Sequence, residues 1–342
     1  MDHTFPLFCT CTVSHSSLSD YLFTALQTHV IGQDEALRAI SFKLCGHMAK
    51  QNPKRPLSLL LYGPTGVGKS ELAKSVSTVL NQFTEGAPWQ TAWTELNTFT
   101  EAHSIHRLTG APPGYVGYGD PSVLESVRRH PYTVFVFDEL DKAHPNLLTV
   151  FMSILDEGRC TTQREDEYGN RELDFRRCIF LFTCNTDLSA PHSIGFSPDS
   201  HTDTVNHTNH LPAQLSLAHR LFLQDEHARQ ALVRTGVLKE IAGRFQGFIP
   251  FSPLSAQSMQ KITAHQIIAL GQEHGLKIIS VSPVLIAALT PSNSFSARSG
   301  RNLLEGLLTP LFSACAEQYS SHRPLVLCGT PHHPIFLPLS GT

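Results

Sequence analysis

The chain has 342 residues, of which 41% are hydrophobic and 16% are charged, and its formal net charge is -3 with histidine neutral. A chain of this length and composition can bury the cores of one large domain and one smaller domain, which excludes a disordered protein. Its acidic balance provides no overall basic field to hold nucleic acid, and no apolar stretch approaches the ~20 residues of a membrane span, so we expect neither partner.

Cysteine usage and the N-terminus indicate the compartment. None of the eight cysteines forms a Cys-x-x-Cys pair, which argues against a zinc module. Cys178 and Cys184 lie in or beside an apolar run, as small buried side chains do. Free thiols fit a reducing compartment, and no basic region precedes an apolar core at the N-terminus. We therefore expect a cytoplasmic protein.

The first half of the chain predicts a tail followed by a layered α/β domain. Residues 1–17 are rich in Ser, Thr and Cys and form the expected tail, and Leu18–Leu37 has helical apolar spacing interrupted at Val30–Gln33. Three short, almost continuously apolar runs are typical of parallel strands covered on both faces: Leu57–Tyr62, Thr133–Phe137 and Cys178–Thr183. Their alternation with helical stretches predicts a doubly wound parallel sheet over residues 18–250.

The second half predicts a hairpin, a loop and a smaller domain. A hairpin with a charged tip at residues 159–175 and an exposed loop at residues 187–211 are followed by helical spacing from Leu215 onward. After Pro250 the pattern changes to helices that alternate with short strands. We expect a smaller C-terminal α+β domain at residues 251–342.

A glycine-rich segment separates the first apolar run from a helix-forming stretch. It is a complete phosphate-binding loop, and it consists of Gly63, Pro64, Thr65, Gly66, Val67, Gly68, Lys69 and Ser70. Small residues let backbone N–H groups face the phosphates, Lys69 adds positive charge for the β and γ phosphates, and the Ser70 hydroxyl can bind Mg²⁺. The helix that follows directs its positive N-terminus at the same anion. The segment predicts nucleotide binding, with ATP and Mg²⁺ as cofactors.

Two carboxylates end the second apolar run. Asp138 is expected in the Mg²⁺ shell, and Glu139 can orient and polarise an attacking water. The alternative is an ordinary solvated strand end. In a chain that carries a complete phosphate loop, the pair favours nucleotide hydrolysis.

Longer motifs carry a family resemblance. The segment His103–Tyr118, with Val127–Tyr132 and Asp141–Pro145, resembles the Clp-type AAA+ protein unfoldases, and is most similar to the second ATPase ring of their two-ring members, which include the bacterial heat-shock disaggregase. The similarity extends from about Val30 to Leu337. It implies an AAA+ P-loop fold and an ATP-hydrolysing unfoldase that assembles as a homo-hexameric ring and pulls protein substrates through a pore. With one ATPase module and only a short tail, an adaptor is the expected source of substrate selection.

The resemblance also implies roles around the nucleotide. Val30 and Ile31 match the stretch that contacts adenine in the family, and Asn185 matches the sensor that positions the hydrolytic water. Arg244 matches the arginine finger that acts on a neighbouring subunit's nucleotide, and Arg298 matches the second sensor. Arg301 is a possible substitute, because Ser296 and Ser299-Gly300 depart from the usual sequence around that sensor. A strand-end turn for Asn185 and a solvated helix surface for Arg298 are the structural alternatives.

Further positions imply contacts with other proteins. Tyr115 and Val116 match the pore loop that grips polypeptide, unless Tyr115 packs on its own domain, and the hairpin tip at residues 163–172 matches a second pore loop or is a solvated turn. The tripeptide that docks into a barrel peptidase in protease-associated members has counterparts in Ile194, Gly195 and Phe196, which could instead anchor their own loop.

Three other functions remain open. The chain could be a chaperone or disaggregase that acts without a protease, as its resemblance allows. It could also be an assembly scaffold that binds ATP and changes shape without threading polypeptide. A nucleic-acid motor or loader is disfavoured by the acidic balance and the aromatic pore loop.

Overall fold

The fold consists of two compact units in a computed structural model. The structure describes residues 15–84, 88–99, 105–111, 114, 122–162, 164–166, 168–188, 213–290, 296–318, 324–330 and 333–338. Within these residues, the larger unit contains the chain up to Phe251 except two short segments, Ile31–Gln33 and Thr65–Gly68. The smaller unit contains those two segments and the chain from Ser252 onward.

The larger unit is built on a five-stranded parallel sheet with the strand order β2-β3-β6-β1-β7. Its strands, with the antiparallel hairpin β4–β5, are β1 Leu57–Tyr62, β2 Gln90–Glu95, β3 Thr133–Asp138, β4 Arg159–Thr161, β5 Glu172–Asp174, β6 Ile179–Cys184 and β7 Gly247–Pro250. Its helices are α1 His15–Gln27, α2 Asp34–Met48, α3 Lys69–Asn81, α4 His106–Thr109, α5 Pro145–Glu157, α6 Ala213–Arg234 and α7 Lys239–Ala242. The predicted α/β class with a parallel sheet is confirmed.

The three apolar runs of the sequence coincide with β1, β3 and β6 to within one residue. The sequence pattern does not predict the two edge strands, β2 and β7. Strand β2 is mostly exposed or half-buried and carries polar side chains, and β7 has only four residues, which begin with Gly247 and end with Pro250. Strand β2 needs no continuous apolar run, because only part of its surface is covered, whereas β7 is mostly buried but too short to form a recognisable run. Helix α1 begins at His15, inside the predicted tail, and residues 1–14 lie outside the described residues.

Aromatic side chains fix the strands that carry the acidic pair. Phe135 and Phe137 of β3 stack on Phe180 and Phe182 of β6, with ring centroids 5.0 Å apart for the first pair and 5.2 Å apart for the second. Phe151 of α5 closes this cluster edge-on, 4.7 Å from the Phe137 ring. All five rings are buried, and truncating such a side chain to alanine typically costs ~3–5 kcal/mol. The cluster therefore holds the ends of β3 and β6 in a fixed register.

The smaller unit combines helices with a mixed sheet. Its helices are α8 Ala256–Glu273, α9 Pro283–Leu289 and α10 Ala297–Gln318, and its strands are β8 Lys277–Val281, β9 Pro324–Thr330 and β10 His333–Pro338. Strand β9 pairs parallel with β8 and antiparallel with β10. Serine hydroxyls cap two of the helices, Ser255 for α8 and Ser282 for α9. Among the described helices of both units, none has the length and apolar character needed to cross a membrane.

A buried histidine in α2 predicts that stability depends on pH. Burial, with a smaller contribution from Lys50, lowers the pKa of His47 from its ordinary value of 6.5 to about 3. Above pH 6.5 both states are neutral at this residue, and below it only the unfolded state binds the proton. We expect the free energy of unfolding to decrease from pH 6.5 towards pH 3, by up to ~1.4 kcal/mol per pH unit.

Urea unfolding at a series of pH values measures this slope. His47→Gln is expected to flatten it, and the same change at the exposed His29 is expected to leave it intact. Equal slopes in the wild type and both variants would contradict the prediction.

Candidate nucleotide site

The phosphate loop joins the end of β1 to the start of α3, where its backbone requires glycine. Gly63, Gly66 and Gly68 have φ angles of 131°, 73° and 110°, which other residues rarely adopt. A Cβ atom on Gly63 would also lie 2.2 Å from the carbonyl oxygen of Phe251. Because α3 begins at Lys69, the loop ends where backbone N–H groups of a helix have no partner within it. This geometry fits a phosphate.

Lys69 places its charge inside this loop. The side chain is 5% exposed, and its ammonium donates to the carbonyl oxygens of Gly63 at 2.7 Å and Pro64 at 2.5 Å. Burial lowers the pKa of Lys69, and the carboxylates of Asp138 and Asp141 act in the opposite direction. A buried cation held by neutral carbonyls is well suited to bind an anion.

Ser70 and Asp138 come together as the predicted Mg²⁺ ligands. The Ser70 hydroxyl, in the first turn of α3, donates to Asp138 Oδ2 over 3.5 Å at the end of β3. Among the described residues, no group of three or more His, Cys, Asp or Glu side chains could hold a metal ion. One hydroxyl and one carboxylate fit Mg²⁺ all the same, since this ion usually takes few protein ligands and completes its shell with phosphates and water.

Glu139 is held at the end of β3 by three side chains. Asn97 donates to Oε2 at 2.7 Å, Lys142 donates to Oε1 at 2.9 Å, and Asn185 approaches Oε1 at 3.5 Å. The backbone N–H of Asn185 also donates to Asp141 at 3.3 Å. The structure therefore brings together Glu139 and Asn185, which the sequence assigned separately to the hydrolytic water.

Sequence reasoning missed three residues of this cluster. Asn97 follows β2, which the pattern did not reveal, and Lys142 lies in a turn that only the family motif marked. Thr183 lies inside the apolar run of β6, and its hydroxyl contacts both Asp138 and the backbone of Glu139. One signal could have revealed Thr183. It is a polar residue at the carboxyl end of a buried strand, and the neighbouring strand ends in carboxylates.

Arg244, the predicted finger, follows α7 in the larger unit. Its guanidinium donates to Asp156 Oδ2 at 2.8 Å and to the carbonyl oxygen of Glu240. It borders a surface cleft of about 470 Å³ that Arg55 and Phe222 also line. The side chain is thus half-buried and paired within its own unit. Among the described residues, it makes no contact with Glu139.

The residues predicted to contact the base and the γ-phosphate are distributed over both units. Val30 is buried in the larger unit, and Ile31 is half-buried in the smaller unit. In the smaller unit, Gln33 is 3% exposed and bonds through its amide to the backbone of Ser252 and to the carbonyl oxygen of Val67. Gln33 therefore anchors the tip of the phosphate loop inside the smaller unit.

The two candidate sensor arginines differ in their surroundings. Arg298 is exposed in the first turn of α10, whose Ala297 N–H donates to the Gly66 carbonyl oxygen at 3.3 Å within the smaller unit. Arg301 instead pairs with Glu273 at 2.8 Å and with Glu305 at 2.7 Å. Arg301 is thus held in two surface ion pairs within the smaller unit, and the assignment of Arg298 as the second sensor remains a prediction.

Five predicted positions cannot be located. Tyr115 and Val116 of the pore loop and Ile194, Gly195 and Phe196 of the docking tripeptide lie outside the described residues. The preceding Gly114 has a φ of 88°, and a Cβ atom there would have nothing within 4 Å. These assignments remain predictions from the sequence.

The second predicted loop is described except for Gln163 and Glu167. Arg128 donates to Asp166 at 3.2 Å and to the backbone carbonyls of Arg164 and Asn170 at 3.1 and 3.0 Å. Asp166 in turn accepts from the N–H groups of Tyr168 and Asn170. The Tyr168 side chain at this turn is 93% exposed. The tip is thus a tightly bonded turn that presents one aromatic ring to solvent.

Comparison with known proteins gives results that agree with the α/β fold and the phosphate loop. The model of the family described as "AAA domain (Cdc48 subfamily)" matches residues 54–247, more than half of the chain. A chloroplastic protein of Brassica napus named as a ClpA homolog, the ATP-binding subunit of an ATP-dependent Clp protease, is 40% identical over 186 residues, which are 52% of this chain and 20% of that protein. The chaperone protein ClpB of Brucella suis is 42% identical over 181 residues, 52% of this chain and 19% of that protein.

A third relative extends the match slightly. The chloroplastic chaperone protein ClpC3 of Oryza sativa is 36% identical over 199 residues, 56% of this chain and 20% of that protein. The chain therefore spans about a fifth of the length of these relatives. The match of the family model shows that the chain belongs to the AAA domain family, and its resemblance to the Clp-type AAA+ ATPases is confirmed.

Proposed function

We propose that the chain binds ATP with Mg²⁺ at residues 63–70 and hydrolyses it with Glu139. The supporting observation is the convergence of Lys69, Ser70 with Asp138, and Glu139 with Asn185 at the carboxyl ends of β1, β3 and β6. Ligands bind at this edge in open parallel sheets. When bound, Mg²⁺ would neutralise charge on the β and γ phosphates, and Ser70 and Asp138 would hold it.

The chain's own residues then have distinct tasks. Lys69 and the loop amides bind and orient the phosphates, which is the largest requirement of phosphoryl transfer. Glu139 orients a water and accepts its proton, and the Asn185 amide can hold the same water without adding charge. Arg244 of a neighbouring subunit would stabilise the transition-state charge, which requires a head-to-tail ring.

We further propose that hydrolysis drives an unfoldase that pulls polypeptide through a homo-hexameric ring. Relatives named as Clp chaperones and as an ATP-binding subunit of a Clp protease support this proposal. The Tyr168 turn adds to it, because an exposed aromatic ring on a tightly bonded turn contacts a passing chain with little entropy to lose. Tyr115 and Val116 would grip the chain as the first loop.

Partners and location are part of the same proposal. An adaptor would select substrates, and the protein would act in the cytoplasm. Ile194, Gly195 and Phe196 would dock a barrel peptidase, which a pull-down with and without these three residues can test. Without such a peptidase the protein would act as a chaperone or disaggregase.

The rate of ATP turnover with added polymers tests the function. We expect reduced, carboxymethylated α-lactalbumin to increase turnover and the folded protein to have no effect, because only an extended chain can enter a pore. Single-stranded DNA is the second comparison. Stimulation by DNA alone would indicate a loader, and turnover that responds to neither polymer would contradict the unfoldase proposal.

Tyrosine variants control this experiment. Tyr168→Ala is expected to keep basal turnover and to reduce the stimulation, as is Tyr115→Ala. Tyr21→Ala removes an exposed tyrosine of α1 and is expected to change neither rate.

One observation favours a second candidate, an assembly scaffold that binds ATP without threading polypeptide. Arg301, the possible substitute sensor, pairs with Glu273 and Glu305, so among these described residues the relay of the nucleotide state would depend on Arg298, whose neighbours depart from the usual motif. A scaffold would assemble with ATP yet show no turnover response to unfolded protein.

A further inference from the structure

Thr183 lies where the two carboxylate residues of the site meet. It is the last residue but one of β6, and it is 1% exposed. It follows Phe182, which faces Phe137 in the β3–β6 register, and so it reaches the point at which β3 ends. Its hydroxyl donates to Asp138 Oδ1 and accepts the backbone N–H of Glu139 at 3.0 Å. One side chain of β6 thereby contacts both acidic residues at the end of β3.

The backbone of Glu139 shows why this connection matters. Glu139 has φ 61° and ψ 54°, and among the described residues no other non-glycine residue has a positive φ. Such a conformation is unfavourable for an L residue and persists only where the surroundings hold it. Since β3 leaves the sheet here, the Glu139 amide bonds to the Thr183 hydroxyl. The second function of that hydroxyl is to restrain Asp138, whose other oxygen lies 3.5 Å from Ser70.

We propose that Thr183 is a positioning residue for ATP hydrolysis, and that its hydroxyl holds the Asp138 carboxylate and the Glu139 backbone in the arrangement that hydrolysis requires. The inference rests on the proposed hydrolysis and adds to it a residue that acts through its neighbours. Displacing a reacting group by about 1 Å can cost ~10²-fold in rate, so one buried hydroxyl can have a large effect.

Thr183→Val tests the hydroxyl, because it keeps the branched shape. We expect kcat to decrease by ~10²-fold and the half-saturating Mg²⁺ concentration to increase. The affinity for a non-hydrolysable ATP analogue is expected to change little, because Lys69 and the loop are untouched. Thr183→Ser restores the hydroxyl and is expected to recover most of the rate and the Mg²⁺ dependence.

Thr133→Val is the matched control. Thr133 is equally buried at the start of β3, and its hydroxyl donates to the His130 carbonyl oxygen at 2.6 Å, at the opposite end of the strand. It is expected to lower the melting temperature without changing kcat or the Mg²⁺ dependence. If the Thr183→Val protein does not fold, Thr183→Ala replaces it in the comparison with Thr183→Ser.

The possible outcomes distinguish a failure of the inference about Thr183 from a failure of the proposed ATP hydrolysis. Wild-type kcat and Mg²⁺ dependence in a folded protein without the hydroxyl overturn the inference alone, as does a Thr183→Ser protein no better than Thr183→Val. A wild-type protein that releases no phosphate from ATP overturns the proposed function and the inference together.

Discussion

Replacing Glu139 by glutamine is expected to slow ATP turnover severely and leave ATP bound. The amide has the size of the carboxylate and can still contact a water, but it cannot accept the proton that the water must lose. A positioned general base contributes ~10²–10⁴-fold, and we expect kcat to decrease within that range. Phosphate release measures turnover, and retention of labelled ATP during gel filtration measures binding.

Glu157→Gln is the control for this change. Glu157 is exposed at the end of α5, so the same loss of charge there should leave both measurements at wild-type values. Unchanged turnover in the Glu139→Gln protein would remove Glu139 from its proposed role. Loss of bound ATP would indicate that Glu139 contributes to binding instead of to the chemical step.

Arg244→Ala is expected to lower turnover by ~10³-fold at concentrations where subunits assemble, with little change in ATP affinity. In the structure, Arg244 pairs with Asp156 at 2.8 Å and makes no contact with Glu139 among the described residues. We therefore attribute the expected effect on hydrolysis to a second copy, whose nucleotide the guanidinium would reach. Steady-state phosphate release at several protein concentrations measures the effect of Arg244→Ala on turnover.

Mixing two inactive proteins gives the decisive control. A subunit with Arg244→Ala keeps Glu139, and a subunit with Glu139→Gln keeps Arg244, so some interfaces of a mixed ring have both groups. We expect turnover to reappear on mixing, and a mixture as inactive as its components would show that Arg244 does not act between subunits. Asp156→Ala breaks the same ion pair and keeps the guanidinium. Because a surface pair contributes ~0–1 kcal/mol, this variant should remain folded and active.

Much of the larger unit could be predicted because its central strands must be apolar on both faces. The runs that became β1, β3 and β6 are visible for that reason, and the phosphate loop is visible because its glycines have no substitutes at positive φ. The edge strand β2 is largely exposed and carries no comparable constraint, and β7 is buried but has only four residues. Their polar, short or glycine-containing sequences are compatible with loops as well as strands.

The site was predictable where one residue type is required and unpredictable where the fold alone creates a contact. Lys69, Asp138 and Glu139 follow from local motifs. Asn97 reaches Glu139 only because β2 lies beside β3, a pairing that no local pattern contains. Thr183 is equally hidden, since threonine is common in buried strands, and its role depends on the neighbouring strand that ends at the same level.

The strand order has a consequence for how the larger unit opens. Strands β3, β6 and β1 each have a partner on both sides, whereas β2 and β7 form the borders of the sheet. Local unfolding begins at elements with few protected amides and reaches doubly flanked strands last. In native-state hydrogen exchange, the amides of β3 and β6 that precede Asp138 and Thr183 should therefore exchange only through global unfolding. The residues of the site would then keep their arrangement while the edge strands β2 and β7 unfold locally.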